Sequence, residues 1–260
     1  MKTILIAGDS WGCGVFDPWG ETGYEYTGLG IHTHLEALGY QVKNISKGGG
    51  SNWAIIDRLE GRWDGAGSVF FDKTDKRDKF EWDSVDHIIF LQTDIFREHY
   101  YYSKQVPSDN DFKWKLLKTN FINSLLEYDS LESFIDDYFK DFYTKLNEIG
   151  EKNNKKILMV GGWSQLHPSI VNYPNLIPAI YSATKLLIPQ LKEDLYLSDP
   201  EWYDQLDNNE KIMAKFGTEV KQMTIKNAEK LELLYNIWRD VHPDLDGYKI
   251  IVDELLPCFG

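Results

Sequence analysis

Two periodicities alternate along the chain. Residues 2–7, apolar from Ile4 onward and closed by Gly8, predict a strand buried on both faces. Leu29, Leu35 and Leu38 followed by Gly39 predict a helix with a glycine stop, and residues 40–45 predict a second strand. Gly48-Gly49-Gly50 breaks that strand, after which Ser51 or Asn52 can cap a helix carrying Ile55, Ile56 and Leu59. Residues 87–91 and 156–160 predict strands three and four. Between them Phe134, Ile135, Tyr138, Phe139, Phe142 and Leu146 recur at helical spacing behind a capping box at Asp129-Ser130-Leu131-Glu132. Residues 207–236 and 248–256 predict further helices, and 232–238 is the candidate for a fifth strand.

Strands alternating with helices predict an α/β fold, a three-layer α/β/α sandwich around a parallel central sheet. The 260 residues suit a single domain over 1–260, with loop or helical insertions near 61–84, 98–150 and 163–206. A formal net charge of −13 argues against nucleic acid and anionic membrane as partners. The two cysteines, Cys13 and Cys258, show no metal spacing, which predicts neither a disulfide framework nor a metal site. The first apolar run is too short for a signal-peptide core, so the expected location is cytoplasmic.

In an open parallel sheet, ligands bind beyond the carboxyl ends of the strands. Ser10 follows strand one, Gly49 follows strand two and Thr93-Asp94 follow strand three, with His242 arriving from near the C-terminus. Four such loops can build an acyl-transfer site. A serine hydroxyl needs a base, histidine has a suitable pKa, and backbone N–H groups at a glycine can hold an oxyanion.

These residues fall into blocks. Gly8-Asp9-Ser10, then Asn44-Ile45-Ser46-Lys47-Gly48-Gly49, then Leu91-Gln92-Thr93-Asp94, and finally Val241-His242-Pro243 with Gly247-Tyr248 resemble, in order, the motifs of the SGNH (GDSL-like) hydrolases. The resemblance spans the chain. It implies a flavodoxin-like fold and hydrolysis of small esters, carbohydrate O-acyl groups among them, with no metal or organic cofactor. It further implies Ser10 as nucleophile, His242 as general base, and Ser10, Gly49 and Thr93 as the oxyanion hole. Two positions depart from the pattern. Thr93 stands where the family has an oxyanion asparagine. Arg239 stands three residues before the histidine, leaving Asp240, two residues before it, as the nearest acid.

Other readings compete. Gly-Asp-Ser is also a common turn. Neither GxxxxGK[ST] nor GxGxxG occurs, since Asp17 takes the third glycine's place after Gly12 and Gly14. Among the remaining histidines, His167 is the rival base or a substrate contact, lying just past strand four. Trp11, Asn52, Asp94, Arg97 and Trp163 are the other candidate substrate contacts. A non-catalytic binding or structural protein on the same fold, and an acyltransferase using the same residues, are the alternative functions.

Overall fold

The computed structural model describes residues 1–14, 16–20, 23–26, 29–48, 50–61, 79–93, 131–162, 165–187, 238–239, 242–243 and 245–260. Its centre is a five-stranded sheet formed by β1 (Thr3–Ala7), β4 (Gln41–Asn44), β5 (His87–Gln92), β6 (Ile157–Gly161) and β7 (Leu176–Ile180). Every pairing is parallel, and the spatial order is β4-β1-β5-β6-β7. In sheet-strand order this is 2-1-3-4-5, the flavodoxin-like arrangement, whose direction of winding reverses between β1 and β5.

Period-two alternation within each strand sorts its side chains to two faces. Ile4, Ile6, Ile89, Leu91, Leu158 and Val160 share one core with α2 (Ile31–Ala37), α5 (Ala183–Leu187) and α6 (Leu245–Leu255). Leu5, Ala7, Ile88, Phe90, Ile157 and Met159 share the other with α3 (Asn52–Leu59) and α4 (Leu131–Lys152). The result is the three-layer α/β/α sandwich expected from the sequence. Helix α4 presents Ile135, Phe139, Phe142, Tyr143, Leu146 and Ile149 to the sheet at three- and four-residue spacing. In α6, Tyr248, Ile251, Val252 and Leu255 do the same on the opposite face, and His34 of α2 meets the carbonyl of Leu245 at 2.8 Å.

Two parts of the chain differ from expectation. The fifth strand of the described sheet is residues 176–180, inside the segment expected to be a loop insertion; of the candidate strand 232–238, all but Trp238 lie outside the described residues. Pro178 hides the strand at 176–180, because proline cannot donate to a ladder and argues against a central strand. Here β7 is an edge strand, and the pairing shifts between Met159 and Val160, which lie opposite Pro178 and Ile180. Trp238 belongs instead to a two-residue antiparallel hairpin of β8 (Trp238–Arg239) and β9 (His242–Pro243). A second antiparallel ribbon, β2 (Phe16–Gly20) with β3 (Gly23–Tyr26), precedes α2 and went unread in the sequence. Residues 129–130 of the expected capping box and the expected helix at 207–236 lie outside the described residues.

At the amino edge of the sheet, His87 packs its ring against Phe259, with centroids 5.1 Å apart and the planes tilted by 49°. Its buried Nε2 has no hydrogen-bond partner among the described residues. Burial pushes its pKa below the ordinary 6.5; Lys2 and Lys155 push the same way, and Asp86 opposes them. A depressed imidazole is neutral in the fold while the unfolded chain still takes up a proton. Stability is therefore retained above pH 6.5 and lost as the pH falls below it toward the folded pKa. Urea unfolding of the wild type between pH 7 and pH 5 should show that decline, and His87→Phe should show a shallower one. Equal slopes in the two proteins would remove His87 from the account.

Candidate active site at the carboxyl edge

The strand β1 runs into Gly8-Asp9-Ser10, and the chain turns at once into α1 (Ser10–Cys13). Asp9 is the N-cap: its Oδ1 accepts the N–H of Trp11 at 2.9 Å, and its carbonyl accepts the N–H groups of Gly12 and Cys13. Ser10 is the first helical residue, a position whose N–H lies outside the helix's own hydrogen-bond ladder. It is 6% exposed, so the loop brings its side chain only just to the surface.

The loop after β4 is tied to this turn. Asn44 donates to the carbonyl of Gly12 at 2.8 Å and accepts the N–H of Ser46, while the N–H of Lys47 donates to the carbonyl of Gly8. Arg58, buried in α3, donates through Nη1 to the carbonyls of Ile45 and Ser46, both at 3.1 Å. The loop after β5 joins as well. The Thr93 hydroxyl donates to Asp9 Oδ2 at 2.7 Å, and Asn52 clamps the Thr93 backbone, accepting its N–H at 2.9 Å and donating to its carbonyl at 3.1 Å. Asn52 also donates to the Tyr138 hydroxyl at 3.0 Å.

Several expected roles change. Thr93 is fully buried and its one hydroxyl proton goes to Asp9, so that hydroxyl is not the oxyanion donor. Trp11 is fully buried in the sheet core, where an apolar ring gains most from leaving water, and it is not a substrate platform. Asn52 is likewise buried and spends its amide on Thr93 and Tyr138, not on a ligand. Asp9, Asn44 and Arg58 carry the loops, and sequence reading assigned none of them a role. Asp9, a good N-cap residue directly before a short polar turn, was the one readable signal.

His167 follows β6 and heads a 3-10 turn, Pro168–Asn172. Its Nδ1 meets Ser169 Oγ at 2.8 Å, its Nε2 meets Asp136 Oδ1 at 3.2 Å, and its ring stacks on Phe139 at 5.0 Å. The 2.8 Å contact is between near neighbours in sequence, and Asp136 on α4 holds the ring from the other side. This is the geometry of a cap that ties the turn to α4. Burial lowers the His167 pKa, and Asp136 partly offsets it. Behind it, the Tyr143 hydroxyl donates to Gln92 Oε1 and accepts the His167 N–H, while burial pushes that phenol well above its ordinary value.

The hairpin at β8–β9 brings the C-terminal block to the same place. Cα atoms of His242–Pro243 lie within 8 Å of Cα atoms in α1, and Arg239 is paired with His242 across the hairpin. Gly49, Asp94, Arg97, Trp163 and Asp240 lie outside the described residues. Among the described residues, no cluster of three metal-ligating side chains occurs, and no helix is long and apolar enough to cross a membrane.

No family model matches the sequence, and no curated protein matches it. Solved structures do align along nearly the whole chain at low identity. An α/β hydrolase enzyme from the metagenome of Lake Arreo, Spain, is 12% identical, covering 100% of this chain and 95% of that one, with a TM-score of 0.41. A lipase/acylhydrolase from Enterococcus faecalis is 13% identical, with 99% and 97% covered and a TM-score of 0.38. An acetyl xylan esterase from Geobacillus stearothermophilus is 16% identical, with 100% and 94% covered and a TM-score of 0.39. The architecture rests on the strand order and the two cores, not on these alignments.

One contact between the first two loops is tight enough to test by mutation. A Cβ on Gly12 would sit 2.1 Å from Ser46 Oγ and 2.8 Å from Ser46 Cβ. Gly12→Ala should therefore destabilise the protein by about 1–3 kcal/mol through overpacking. Ser46→Gly in the same chain should recover most of that loss, read as the coupling term of a double-mutant cycle in urea. Additive single effects would mean that the two loops do not meet there.

Proposed function

We propose that the carboxyl edge is a serine hydrolase site that cleaves small esters through an acyl-enzyme. The observation that carries the proposal is the approach of the His242–Pro243 backbone to the helical turn that begins at Ser10, from the far end of the chain. The residue order, a serine three positions after the end of β1 and a histidine three positions before the start of the closing helix α6, supports the same reading.

In this proposal Ser10 Oγ attacks the ester carbonyl carbon while His242 takes its proton. His242 then returns that proton to the leaving alkoxide as the ester C–O bond breaks. Water, deprotonated by His242, attacks the acyl-enzyme, releases the acid and restores the serine. Asp240 is the proposed partner that orients His242. The backbone N–H groups of Ser10 and Gly49 are the proposed oxyanion donors. With the Thr93 hydroxyl given to Asp9, the hole relies on main-chain donors. Each missing donor costs about a hundred-fold in rate, so turnover on unactivated esters should be modest. The proposed substrate class is a small ester such as a carbohydrate O-acyl group. The chemistry needs no metal or cofactor.

A second reading is favoured by that same inward-turned Thr93: a binding or structural protein that keeps the fold without catalysis. Transfer of the acyl group to an acceptor other than water uses the same residues and is separated from hydrolysis by product analysis. Hydrolysis of 4-nitrophenyl acetate distinguishes the first two. The wild type should turn over, and Ser10→Ala and His242→Ala should each lose about a thousand-fold or more of kcat/KM at unchanged stability. Full activity in either variant contradicts the proposed site.

A further inference from the structure

The sheet reverses its direction of winding between β1 and β5, and it is at the carboxyl ends of such a strand pair that open α/β sheets form a ligand crevice. A side-chain hydrogen bond joins the two strand ends, from Thr93 after β5 to Asp9 after β1. Asp9 is 1% exposed and Thr93 is 0% exposed, so this contact is shielded from water, where a carboxylate needs partners on each oxygen.

The two oxygens of Asp9 have separate duties. Oδ1 holds the N–H of Trp11, which fixes the first turn of α1; Oδ2 receives the Thr93 hydroxyl. Ser10 is the residue between Asp9 and Trp11. The Asp9 carboxylate and the Asp9 carbonyl, which accepts from Gly12 and Cys13, together hold the turn that carries Ser10, so the cap contributes to the direction of the Ser10 Cα–Cβ bond. Thr93 in turn cannot drift, because Asn52 grips both its N–H and its carbonyl, and Tyr138 of α4 holds the Asn52 amide.

We propose that Thr93 is a positioning residue for Ser10. Its hydroxyl locks the Asp9 carboxylate from the neighbouring strand end and so sets the direction of the serine side chain. The position that the resembled family gives to an oxyanion donor is here used to aim the nucleophile. This inference rests on Ser10 being the nucleophile. It predicts that the hydroxyl matters and the methyl does not.

Thr93→Val and Thr93→Ser separate the two. Two measurements are made on each folded protein: amide hydrogen exchange at Trp11, Gly12 and Cys13, and the rate of labelling by an alkyl fluorophosphonate. In Thr93→Val, exchange at these amides should rise about tenfold, the equivalent of one hydrogen bond, and labelling should slow about tenfold or more. Thr93→Ser should match the wild type in both. Thr93→Ala replaces the valine variant if the latter does not fold. Unchanged exchange in the valine protein overturns the lock. Faster exchange with unchanged labelling makes Thr93 structural only and overturns the positioning role. A wild type that is never labelled removes the nucleophile and the positioning role with it, whereas the exchange result still reports on the lock.

Discussion

A carboxylate buried between two strand ends constrains the rest of this molecule. Asp9 is almost wholly removed from water, and its oxygens are satisfied by the N–H of Trp11 on its own loop and the hydroxyl of Thr93 on another. Left unpaired, either oxygen would cost on the order of a few kcal/mol, a large share of a domain's stability. The loops after β1 and β5 must therefore stay in register. Asn44, Asn52 and Arg58 extend the same demand to the loop after β4 and the helix that follows. These hydrogen bonds between buried polar groups hold the loops of the carboxyl edge to one another.

This tethering bears on chemistry. An attacking group is effective only when it is already aimed, and a misplacement of about 1 Å can cost a hundred-fold. The stitched loops give the Ser10 turn a fixed frame on the β1 and β5 side, and the His242 hairpin closes on it from the C-terminal side. In the proposed hydrolase site, the inward-turned Thr93 would leave the oxyanion to main-chain donors.

Much of the architecture was legible because it depends on short-range pattern. Strands β1, β5 and β6 are apolar runs short enough for buried strands, and α4 repeats its aromatic residues at helical spacing. Strand β7 was not legible, because Pro178 and Pro174 mask an edge strand whose identity is set by its neighbour β6. The two antiparallel hairpins escaped for a similar reason: two to five residues carry no periodicity of their own, and pairing defines them. At the proposed site, order along the chain is what nominates Ser10 and His242, and the fold brings the His242–Pro243 backbone to the helical turn that begins at Ser10. Thr93, Trp11 and Asn52 were misassigned, because polarity or size at a strand end does not say whether a side chain faces the ligand or the protein. Only the partners, Asp9, the sheet core and Tyr138, decide that.

The most direct test of the account is the site of covalent modification. After reaction with an alkyl fluorophosphonate, the digested protein should carry a single phosphonyl adduct, on the peptide containing Ser10, and His242→Ala should abolish it. An adduct on another serine, above all Ser169 beside His167, would contradict the assignment of the nucleophile. The absence of any adduct would contradict catalysis itself.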